Sequence, residues 1–494
     1  MEFKFSQGGA ILAFTIYLLS TQFQTASGST ILSPELRGKR SIVERDGVTH
    51  TIFEHEATGA QLDFVKNSGV CETTPGVNQY SGYLNVGTNM SMWFWFFEAR
   101  HEPSTAPLAL WLNGGPGCSS MIGLFQENGP CNFVNGSSTP SLNPYSWNEY
   151  ANMLYVDQPI GSGFSYGTDN VNSTVTAAPF VWKLMQAFFA NFPQYETRDF
   201  GLFTESYGGH YGPEFAYYFE NQNTAILENK VKGLPINLVA LGINNGWYDD
   251  IIQEREFISF SQNNSYFPLI NATIAADYMA DYNIGCLAPL ENCNATTGEN
   301  AECFAGQEGC NTVDNKYSVY YPNVDAYDIR QPGNGTFPPE TYVNYLTDPK
   351  IMKAIGAKVT YSKCSKAASS PFGADSDGER SFIPTLSNLV QSGLRTLIWA
   401  GDADSVCDWF GGLASVNNLT WSGGDRFRQT GVQNYTVGGV PGGEFKNVEN
   451  LSWLRVFQSG HEVPAFQPAL ALQVFKQTLQ KKADFLDLDT LRNE

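Results

Sequence analysis

Basic residues and histidine are scarce in this sequence, and each scarcity excludes a class of function. Lysine and arginine together number 29 against 49 aspartates and glutamates, which gives a net charge of −20. Nucleic acids and anionic membranes are bound through positive surfaces, so we expect neither as a partner. The five histidines form no cluster with glutamate at the spacing of zinc ligands, so we expect no bound metal.

Long apolar runs are also scarce, and the one near the N-terminus is too short to cross a bilayer. Residues 1–26 carry Lys4, an apolar run at 11–19 and small residues at their end, which is the layout of a secretory signal peptide. The C-terminal tail, residues 483–494, is polar. We therefore expect a secreted, extracellular protein without a membrane anchor, vacuolar delivery being the alternative. A sequence pI near 4.7 suits an acidic medium, although an acidic surface also serves solubility alone.

The residues that are present agree with secretion. Nine cysteines suit an oxidising compartment. Ten Asn-x-Ser/Thr sequons in a chain with a signal peptide predict glycosylation. The sequons are at Asn89, Asn135, Asn172, Asn263, Asn271, Asn294, Asn334, Asn418, Asn434 and Asn450.

Short apolar runs alternate with helical patterns along most of the chain. This alternation predicts an α/β fold with a central, mostly parallel sheet flanked by helices. The polar and Gly-rich motifs fall just after predicted strands, where the sites of open α/β sheets gather. Strands are predicted within 83–97 and at 108–112, 152–156, 200–203, 238–243, 395–400 and 454–457, and helices at 177–192 and 465–480.

Two regions depart from this alternation. Residues 27–65 are polar and contain the basic pair Lys39-Arg40, and we interpret them as an N-terminal arm or a pro-segment removed by processing. Residues 247–345 are dense in Asn, Tyr and sequons, and we interpret them as an inserted, disulfide-stapled cap. The α/β domain then comprises residues 66–246 and 346–482. The four cysteines of the cap are Cys286, Cys293, Cys303 and Cys310.

The motif Thr-Glu-Ser-Tyr-Gly-Gly at 204–209 follows a predicted strand. A serine at a sharp turn from strand to helix, followed by small residues, is the nucleophile elbow of α/β-hydrolases. Thr204 stands where the general pattern G-x-S-x-G has its first glycine, so the match is partial and an ordinary turn is the competing interpretation. The candidate nucleophile is Ser206.

A serine nucleophile needs a base, and histidine is the natural one near neutral pH. His461 follows the last predicted strand and is the only histidine at a strand end late in the chain. His210 lies four residues past Ser206 on the next helix, which favours a structural role. The remaining histidines are expected in the arm or on the surface: His50, His55 and His101.

The base needs an aspartate to hold its tautomer, and Gly-Asp-Ala-Asp at 401–404 offers both Asp402 and Asp404. The order Ser, Asp, His is that of α/β-hydrolases. The glycines at 114, 115 and 117 let backbone N–H groups approach a developing oxyanion, and the N–H of Tyr207 is the second expected donor. This loop lacks the signature of a phosphate or dinucleotide site, so we expect no cofactor.

Longer motifs resemble the serine carboxypeptidase family, in particular its secreted fungal members. They occur in family order between residues 70 and 480. The resemblance implies an α/β-hydrolase that removes C-terminal residues from peptides and proteins through an acyl-enzyme, favoured at acidic pH. The motifs are WLNGGPGCSS at 111–120, ENGP at 127–130, PYSWN at 144–148, DQPIGSGFSY at 157–166, ESYGGHY at 205–211, GDAD at 401–404 and GH at 460–461.

Position by position, the resemblance assigns roles to particular residues. It makes Ser206 the nucleophile, His461 the general base and Asp404, the second aspartate, the acid. The N–H groups of Gly115 and Tyr207 are expected to form the oxyanion hole. The residues expected to hold the terminal carboxylate of the substrate are Asn113, Gly114, Glu127, Glu205 and Trp111.

Two glutamates beside a substrate carboxylate would repel it if all three groups were ionised. When protons are shared, the acids become donors and the cluster titrates as one unit. The sequence therefore predicts tight peptide binding at acidic pH that weakens as pH rises. The competing interpretation is that Glu127 and Glu205 form only a buried hydrogen-bonded pair.

The resemblance also implies two pocket residues and four disulfides. Glu462 stands where some relatives carry an apolar residue, and we expect it to line the pocket for the leaving residue. Cys407 is expected to stay free near the site, where mercurials would inhibit unless the thiol is buried and inert. The implied disulfides are Cys71–Cys131, Cys118–Cys364, Cys286–Cys310 and Cys293–Cys303.

Rival functions differ in what they require of the substrate. An esterase or lipase would use the same Ser, Asp and His but has no need of Asn113 and two glutamates aimed at a carboxylate. An acyltransferase would need an acceptor other than water, and no motif identifies one. A non-enzymatic protein predicts a broken catalytic set, and a metal-dependent carboxypeptidase needs zinc ligands. The resemblance is compatible with a monomer or a homodimer, and neither the residue preference nor the fold of the cap follows from the sequence.

Overall fold

The computed structural model describes residues 38–55, 61–293, 300–320, 323–335 and 337–479. The predicted signal peptide, the sequon at Asn294 and the tail at 483–494 lie outside these residues. Among the described residues, no helix is both long and apolar enough to span a membrane.

A mixed sheet of 14 strands forms the centre of the molecule. The order across the sheet is β1-β2-β3-β4-β5-β7-β6-β9-β10-β11-β14-β13-β12, with β8 paired to β5, in the numbering that follows. The strands are β1 Gly38–Arg45, β2 Val48–His55, β3 Gln61–Lys66, β4 Gln79–Gly87, β5 Met90–Phe97, β6 Leu108–Leu112, β7 Asn152–Asp157, β8 Tyr166–Gly167, β9 Phe200–Glu205, β10 Leu238–Asn244, β11 Arg395–Gly401, β12 Gln433–Val437, β13 Val440–Val448 and β14 Leu451–Val456.

The six middle strands, β7, β6, β9, β10, β11 and β14, are parallel to one another. Their sequences are short continuous apolar runs, such as Leu108–Leu112 with every residue buried, because helices cover both faces. This confirms the predicted α/β fold, with antiparallel strands extending the sheet on both sides. Strands β1 to β3 come from the predicted N-terminal arm, and Phe53, Leu62 and Phe64 place it in the core.

Helices pack on both faces of the sheet. Alternate residues of β6 face opposite layers: Leu110 joins the cluster that includes Phe188 and Phe215, whereas Trp111 joins the cluster that includes Phe475. The helices are α1 Thr174–Asn191, α2 Gly208–Leu227, α3 Asp250–Asn263, α4 Ala272–Asp281, α5 Ala288–Leu290, α6 Ala301–Tyr320, α7 Thr341–Leu346, α8 Pro349–Ile355, α9 Lys366–Ala374, α10 Ile383–Gln391, α11 Trp409–Asn417, α12 Gly424–Gln429, α13 Val463–Phe466 and α14 Pro468–Leu479.

The region predicted as a cap is mainly helical and has its own apolar cluster. Helices α3, α4 and α6 contribute Phe257, Tyr278 and Val313 to that cluster. A two-stranded hairpin follows, Val324–Asp325 against Asp328–Pro332, which we call the cap hairpin. The structure contains all four disulfides that the resemblance implies: Cys71–Cys131, Cys118–Cys364, Cys286–Cys310 and Cys293–Cys303.

Candidate active site

Ser206 lies at the turn from β9 into α2 and has a φ of +63°, which is unfavourable for a residue with a side chain. Backbone hydrogen bonds hold it there. Its N–H donates to Asn244 O at 3.0 Å, and its carbonyl accepts from the N–H of Trp247 at 2.9 Å. The turn therefore has the strain and the position of a nucleophile elbow.

Thr204 explains how the elbow tolerates a departure from the general motif. Its Oγ1 donates to Gly208 O at 2.8 Å. A Cβ on Gly208 would lie 2.5 Å from the Cβ of Thr204, and one on Gly212 would lie 2.9 Å from its Oγ1. The threonine thus occupies space that two glycines of α2 leave open.

Asp404 and His461 meet at the ends of β11 and β14. Asp404 Oδ2 lies 2.6 Å from His461 Nδ1, and both residues are buried. The carboxylate also accepts from Asn245 Nδ2 at 2.8 Å and from the N–H groups of Val406 and Cys407 at 3.0 and 3.1 Å. Burial lowers the pKa of His461, but the charge and hydrogen bond of Asp404 outweigh it and raise the pKa to about 9.

Asp402, the other candidate acid, points to the cap instead. It accepts from Tyr266 Oη at 2.5 Å and lies 3.5 Å from Arg455 Nη2. Since Asp404 holds the imidazole and Asp402 does not, the geometry separates two aspartates that the sequence pattern left as alternatives.

Asn244 and Cys407 connect the serine to the histidine. Asn244 accepts from Ser206 N, and its Nδ2 donates to His461 O at 2.9 Å. The Cys407 thiol is hydrogen-bonded to Ser206, and its sulfur groups with ligand atoms of Asp404 and His461 within 4.8 Å. Burial, and then the nearby acids, raise the pKa of Cys407 well above its usual value, so the thiol is neutral. Three distant segments therefore bring the predicted catalytic residues into one cluster.

The Gly-rich loop after β6 contacts the elbow directly. A Cβ on Gly114 would overlap the backbone N of Tyr207 and would lie 2.7 Å from Glu205 O. Gly115 has a φ of +113°, which favours glycine. This close approach places the backbone of Gly114, next to Gly115, beside Tyr207, the residue that follows Ser206.

The two predicted carboxylate-binding glutamates share one amide. Asn113 Nδ2 donates to Glu127 Oε1 at 3.1 Å and to Glu205 Oε1 at 2.9 Å. Its Oδ1 accepts from Trp111 Nε1 at 2.8 Å and from Gly123 N at 2.9 Å, which fixes the orientation of the amide. Asn113 and Trp111 therefore orient the glutamates, and all four side chains are buried.

Burial and then Glu205 raise the pKa of Glu127 well above its usual value. A side-chain hydrogen bond with Glu205 acts in the same direction, as two carboxyl groups that share a proton would. Burial and Glu205 also raise the pKa of Glu462, to about 8, with Lys363 and His461 acting against the rise. The cluster thus holds protons at pH values where isolated glutamates are ionised.

Three residues of the site were not assigned from the sequence. Asn244 ends β10 and Asn245 follows it, and their position at a strand end was the available signal. Tyr327 of the cap hairpin places its ring 5.0 Å from that of His461, and its carbonyl accepts from His461 N at 2.9 Å. Nothing in the sequence pattern pointed to Tyr327, because the rule that sites gather at the carboxyl ends of parallel strands does not apply to the cap.

Comparisons with known proteins agree with this geometry. The profile of the family described as serine carboxypeptidase matches residues 69–481. Carboxypeptidase S1 of Penicillium janthinellum is 56% identical over 429 residues, which cover 85% of this chain and 99% of that protein. Carboxypeptidase Y of Komagataella phaffii is 36% identical over 397 residues, or 79% of this chain and 73% of that protein.

The crystal structure of Kex1Δp, a prohormone-processing carboxypeptidase of Saccharomyces cerevisiae, superposes with a TM-score of 0.70. It covers 83% of this chain and 92% of that chain at 22% identity, and we use it for the fold alone. The relatives extend over most of the sequence, and the family match at 69–481 includes every segment that contributes to the site. The chain therefore belongs to the serine carboxypeptidase family, enzymes that hydrolyse peptide substrates.

Proposed function

We propose that the chain releases C-terminal residues through an acyl-enzyme on Ser206. The Ser206 oxygen attacks the scissile carbonyl carbon while its proton passes to His461. The C–N bond then breaks as His461 returns that proton to the leaving amino acid. Water attacks the ester by the same route, which frees the shortened peptide and restores the serine. The Asp404–His461 pair at 2.6 Å, beside a strained serine, is the observation that supports this assignment.

The N–H groups of Gly115 and Tyr207 are proposed to stabilise the oxyanion. The packing of Gly114 against the Tyr207 backbone supports it, because it brings both donors to one side of the elbow. Fixed backbone donors act where charge develops and need no reorganisation during the reaction.

The buried glutamates are proposed to bind the free carboxylate that an exopeptidase must recognise. Glu127 keeps its proton because of burial and Glu205, and a protonated carboxyl can donate to a substrate oxygen. An esterase or an acyltransferase on the same fold remains the alternative, but neither requires a proton-holding acid pair beside the nucleophile. Asn113 and Trp111 act through the glutamates, and Gly114 permits the close packing.

The acidic preference that we propose belongs to peptide binding. As pH rises, the glutamate cluster loses its protons, becomes anionic and repels the substrate carboxylate, so KM increases. The turnover number kcat, in contrast, should rise with pH. His461 must be neutral to accept a proton, and its neutral fraction grows as pH rises towards its pKa of about 9. The best kcat/KM therefore lies below the pH of the best kcat.

Cleavage of blocked dipeptides at pH ~4–6 tests the function directly. Wild type should release the C-terminal residue, and the same peptide with an amidated C-terminus should be nearly inert. Ser206→Ala should abolish release while retaining peptide binding. Efficient cleavage of the amidated peptide, or of short-chain esters in preference to free peptides, would favour the esterase.

Michaelis constants measured across pH test the carboxylate site. Wild-type KM should rise with pH for free peptides, and Glu127→Gln, which does not titrate, should flatten the profile. A flat wild-type profile contradicts the shared-proton cluster and leaves Glu127 and Glu205 as a structural pair. The amidated peptide, measured as a competitive inhibitor because it is nearly inert as a substrate, is the matched control.

Glu462 and Cys407 are proposed to line the pocket beside the histidine. Glu462 is half-buried next to His461, and its charge depends on Glu205 and Lys363. Replacing it with Gln should change the preference for the leaving residue and its pH dependence. Thiol titration of the native enzyme, followed in parallel with activity, shows whether Cys407 is accessible to mercurials or inert.

Secretion and glycosylation belong to the same proposal, with vacuolar delivery as the alternative. The signal peptide is expected to be cleaved, and sequons whose asparagine amide is exposed are expected to carry sugars. Analysis of the N-terminus of the mature protein shows whether residues 27–65 are also processed at Lys39-Arg40. Sedimentation distinguishes a monomer from a homodimer.

A further inference from the structure

Tyr207 is held in the elbow through its side chain as well as its backbone. Its phenol donates to Asp377 Oδ2 at 2.7 Å, and its ring stacks on the imidazole of His210 with centroids 4.5 Å apart. Asp377 also accepts from Thr174 N at 3.0 Å and from Thr174 Oγ1 at 2.6 Å, at the start of α1. His210 thus contacts the residue that supplies one proposed oxyanion donor.

His210 is fully buried, and each ring nitrogen lies close to a backbone carbonyl oxygen. Nδ1 is 2.6 Å from Trp247 O, and Nε2 is 3.1 Å from Gly378 O. A neutral imidazole has one N–H, so it donates to one oxygen and directs a lone pair at the other. The imidazolium donates to both. We call this arrangement, His210 between Trp247 O and Gly378 O, the His210 bridge.

The two carbonyls belong to segments that hold the elbow. The N–H of Trp247 donates to Ser206 O at 2.9 Å, and a Cβ on Gly209 would overlap the Trp247 backbone. Gly378 follows Asp377, which accepts from the phenol of Tyr207. The His210 bridge therefore joins the segment that fixes Ser206 to the segment that fixes Tyr207.

The proton state of His210 depends on the groups around its ring. Burial lowers the pKa of His210, whereas Asp377, the two carbonyls and Asp249 act in the opposite direction. Phe382 packs on the ring at 4.8 Å and carries no charge. The phenol of Tyr207 stays protonated, because burial and then Asp377 raise its pKa. The ring therefore takes its second proton in acidic solution, below the ordinary pKa of histidine.

We propose that His210 is a positioning residue whose second proton completes the His210 bridge and fixes the Tyr207 N–H for the oxyanion. The inference rests on the proposed function, since it takes Tyr207 as an oxyanion donor. At neutral pH the ring donates to only one of the two carbonyls, and the two segments are then joined through the longer bond from Trp247 Nε1 to Gly378 O at 3.3 Å. His210 thus favours turnover in acidic solution by a route that does not involve Glu127.

The pH dependence of kcat provides the first test, with a blocked dipeptide as substrate. His210→Gln, which cannot become charged, should lower kcat about 10-fold at the acidic end and converge with wild type near neutral pH, at similar KM. His101→Gln is the matched control, because the side chain of His101 is 72% exposed and lies outside the site. An equal loss at every pH, or a change in KM alone, overturns the proposal.

Imidazole NMR of wild-type protein labelled with ¹⁵N-histidine provides the second test and needs no variant. The His210 ring is identified by its NOEs to Tyr207 and Phe382. Both nitrogens should carry protons at acidic pH, and one should lose its proton over the range in which the two kcat curves converge. A ring with a single N–H throughout overturns the proposal. Since this titration is measured without catalysis, its failure is distinguishable from failure of the Ser206 assignment.

Discussion

The middle of the sheet and the cap contribute to the site in different ways. From the sheet, Ser206, Asp404 and His461 lie within five residues of strand ends, and several buried hydrogen bonds fix them. From the cap hairpin comes Tyr327, which contacts His461 and is 54% exposed. The proposed catalytic groups are therefore fixed by the central sheet, whereas the exposed surface beside His461 comes in part from the cap hairpin.

Four consecutive residues after β11 show how the two regions meet. Asp402 accepts from Tyr266 of the cap, and Ala403 O accepts from Ile329 N at 2.9 Å. Ser405 donates to the carbonyl of Ala326 from its N–H and from its Oγ. Asp404 alone of the four holds His461. One turn thus anchors the cap and positions His461, the proposed base.

Exchange of each aspartate in this turn should give the largest difference between the regions. Asp404→Asn should lower kcat about 10⁴-fold, because the asparagine amide stabilises neither the required tautomer nor the imidazolium form of His461. Asp402→Asn is the matched control and should cost less than about 10-fold, because an amide still accepts from Tyr266. Steady-state kinetics on one peptide measures both. Equal losses would mean that cap anchoring and catalysis are not separable.

Two helical glycines give the next largest contrast. A Cβ on Gly209 would overlap the backbone of Trp247, and one on Gly309 would overlap the backbone of Gly285 within the cap. Gly209→Ala should lower kcat/KM about 100-fold, because moving Trp247 displaces the elbow. Gly309→Ala should destabilise the cap by about 1–3 kcal/mol and change kcat only a few-fold.

Thermal unfolding measures the stability of both glycine variants, and steady-state kinetics measures their kcat and kcat/KM. Gly412, which lies in α11 with open space around its Cβ position, is the control. Its replacement by alanine should leave both quantities unchanged or raise stability slightly. If Gly309→Ala lost as much activity as Gly209→Ala, the cap would have to be counted as part of the catalytic framework.

Replacement of Tyr327 should have a smaller and substrate-dependent effect. Tyr327→Ala removes the ring beside His461 but keeps the carbonyl that accepts from His461 N. We expect kcat/KM to change about 3- to 10-fold, with a different factor for each leaving residue. Tyr327→Phe keeps the ring and should resemble wild type. A uniform change across a series of blocked dipeptides would show that the hairpin acts on His461 rather than on the substrate.

The difference between the central sheet and the cap also determines which site residues could be predicted from the sequence. Ser206 and His461 were located by strand ends and chain order, which also pointed to Asp402 or Asp404. The resemblance then selected Asp404 and added Glu127 and Glu205. The bond from Asn245 to Asp404 joins residues 159 positions apart, and a local pattern contains no such information.

The N-terminal region and the cap show the other limit. Residues 27–65 were predicted as an arm from their polar composition, yet Leu62 and Phe64 alternate with polar neighbours and pack in the core of the sheet. That alternation was a usable signal. In the cap, the contact of Tyr327 with His461 depends on how a disulfide-linked helical insertion packs against the α/β domain. Such packing produces no periodic pattern in the sequence.

Glycosylation offers the smallest effect and compares the same two regions. Asn450, between β13 and β14, donates from Nδ2 to Val390 O at 2.9 Å and to Leu394 O at 2.8 Å. A sugar on that nitrogen would leave it one hydrogen, and one of the two carbonyls would lose its donor. Asn271 in the cap is exposed and uses its oxygen to cap α4, accepting from Thr273 N and Ile274 N. Peptide mapping by mass spectrometry should find a glycan at Asn271 and an unmodified Asn450. Full occupancy of Asn450 would show that the turn beside the central sheet is as open as the surface of the cap.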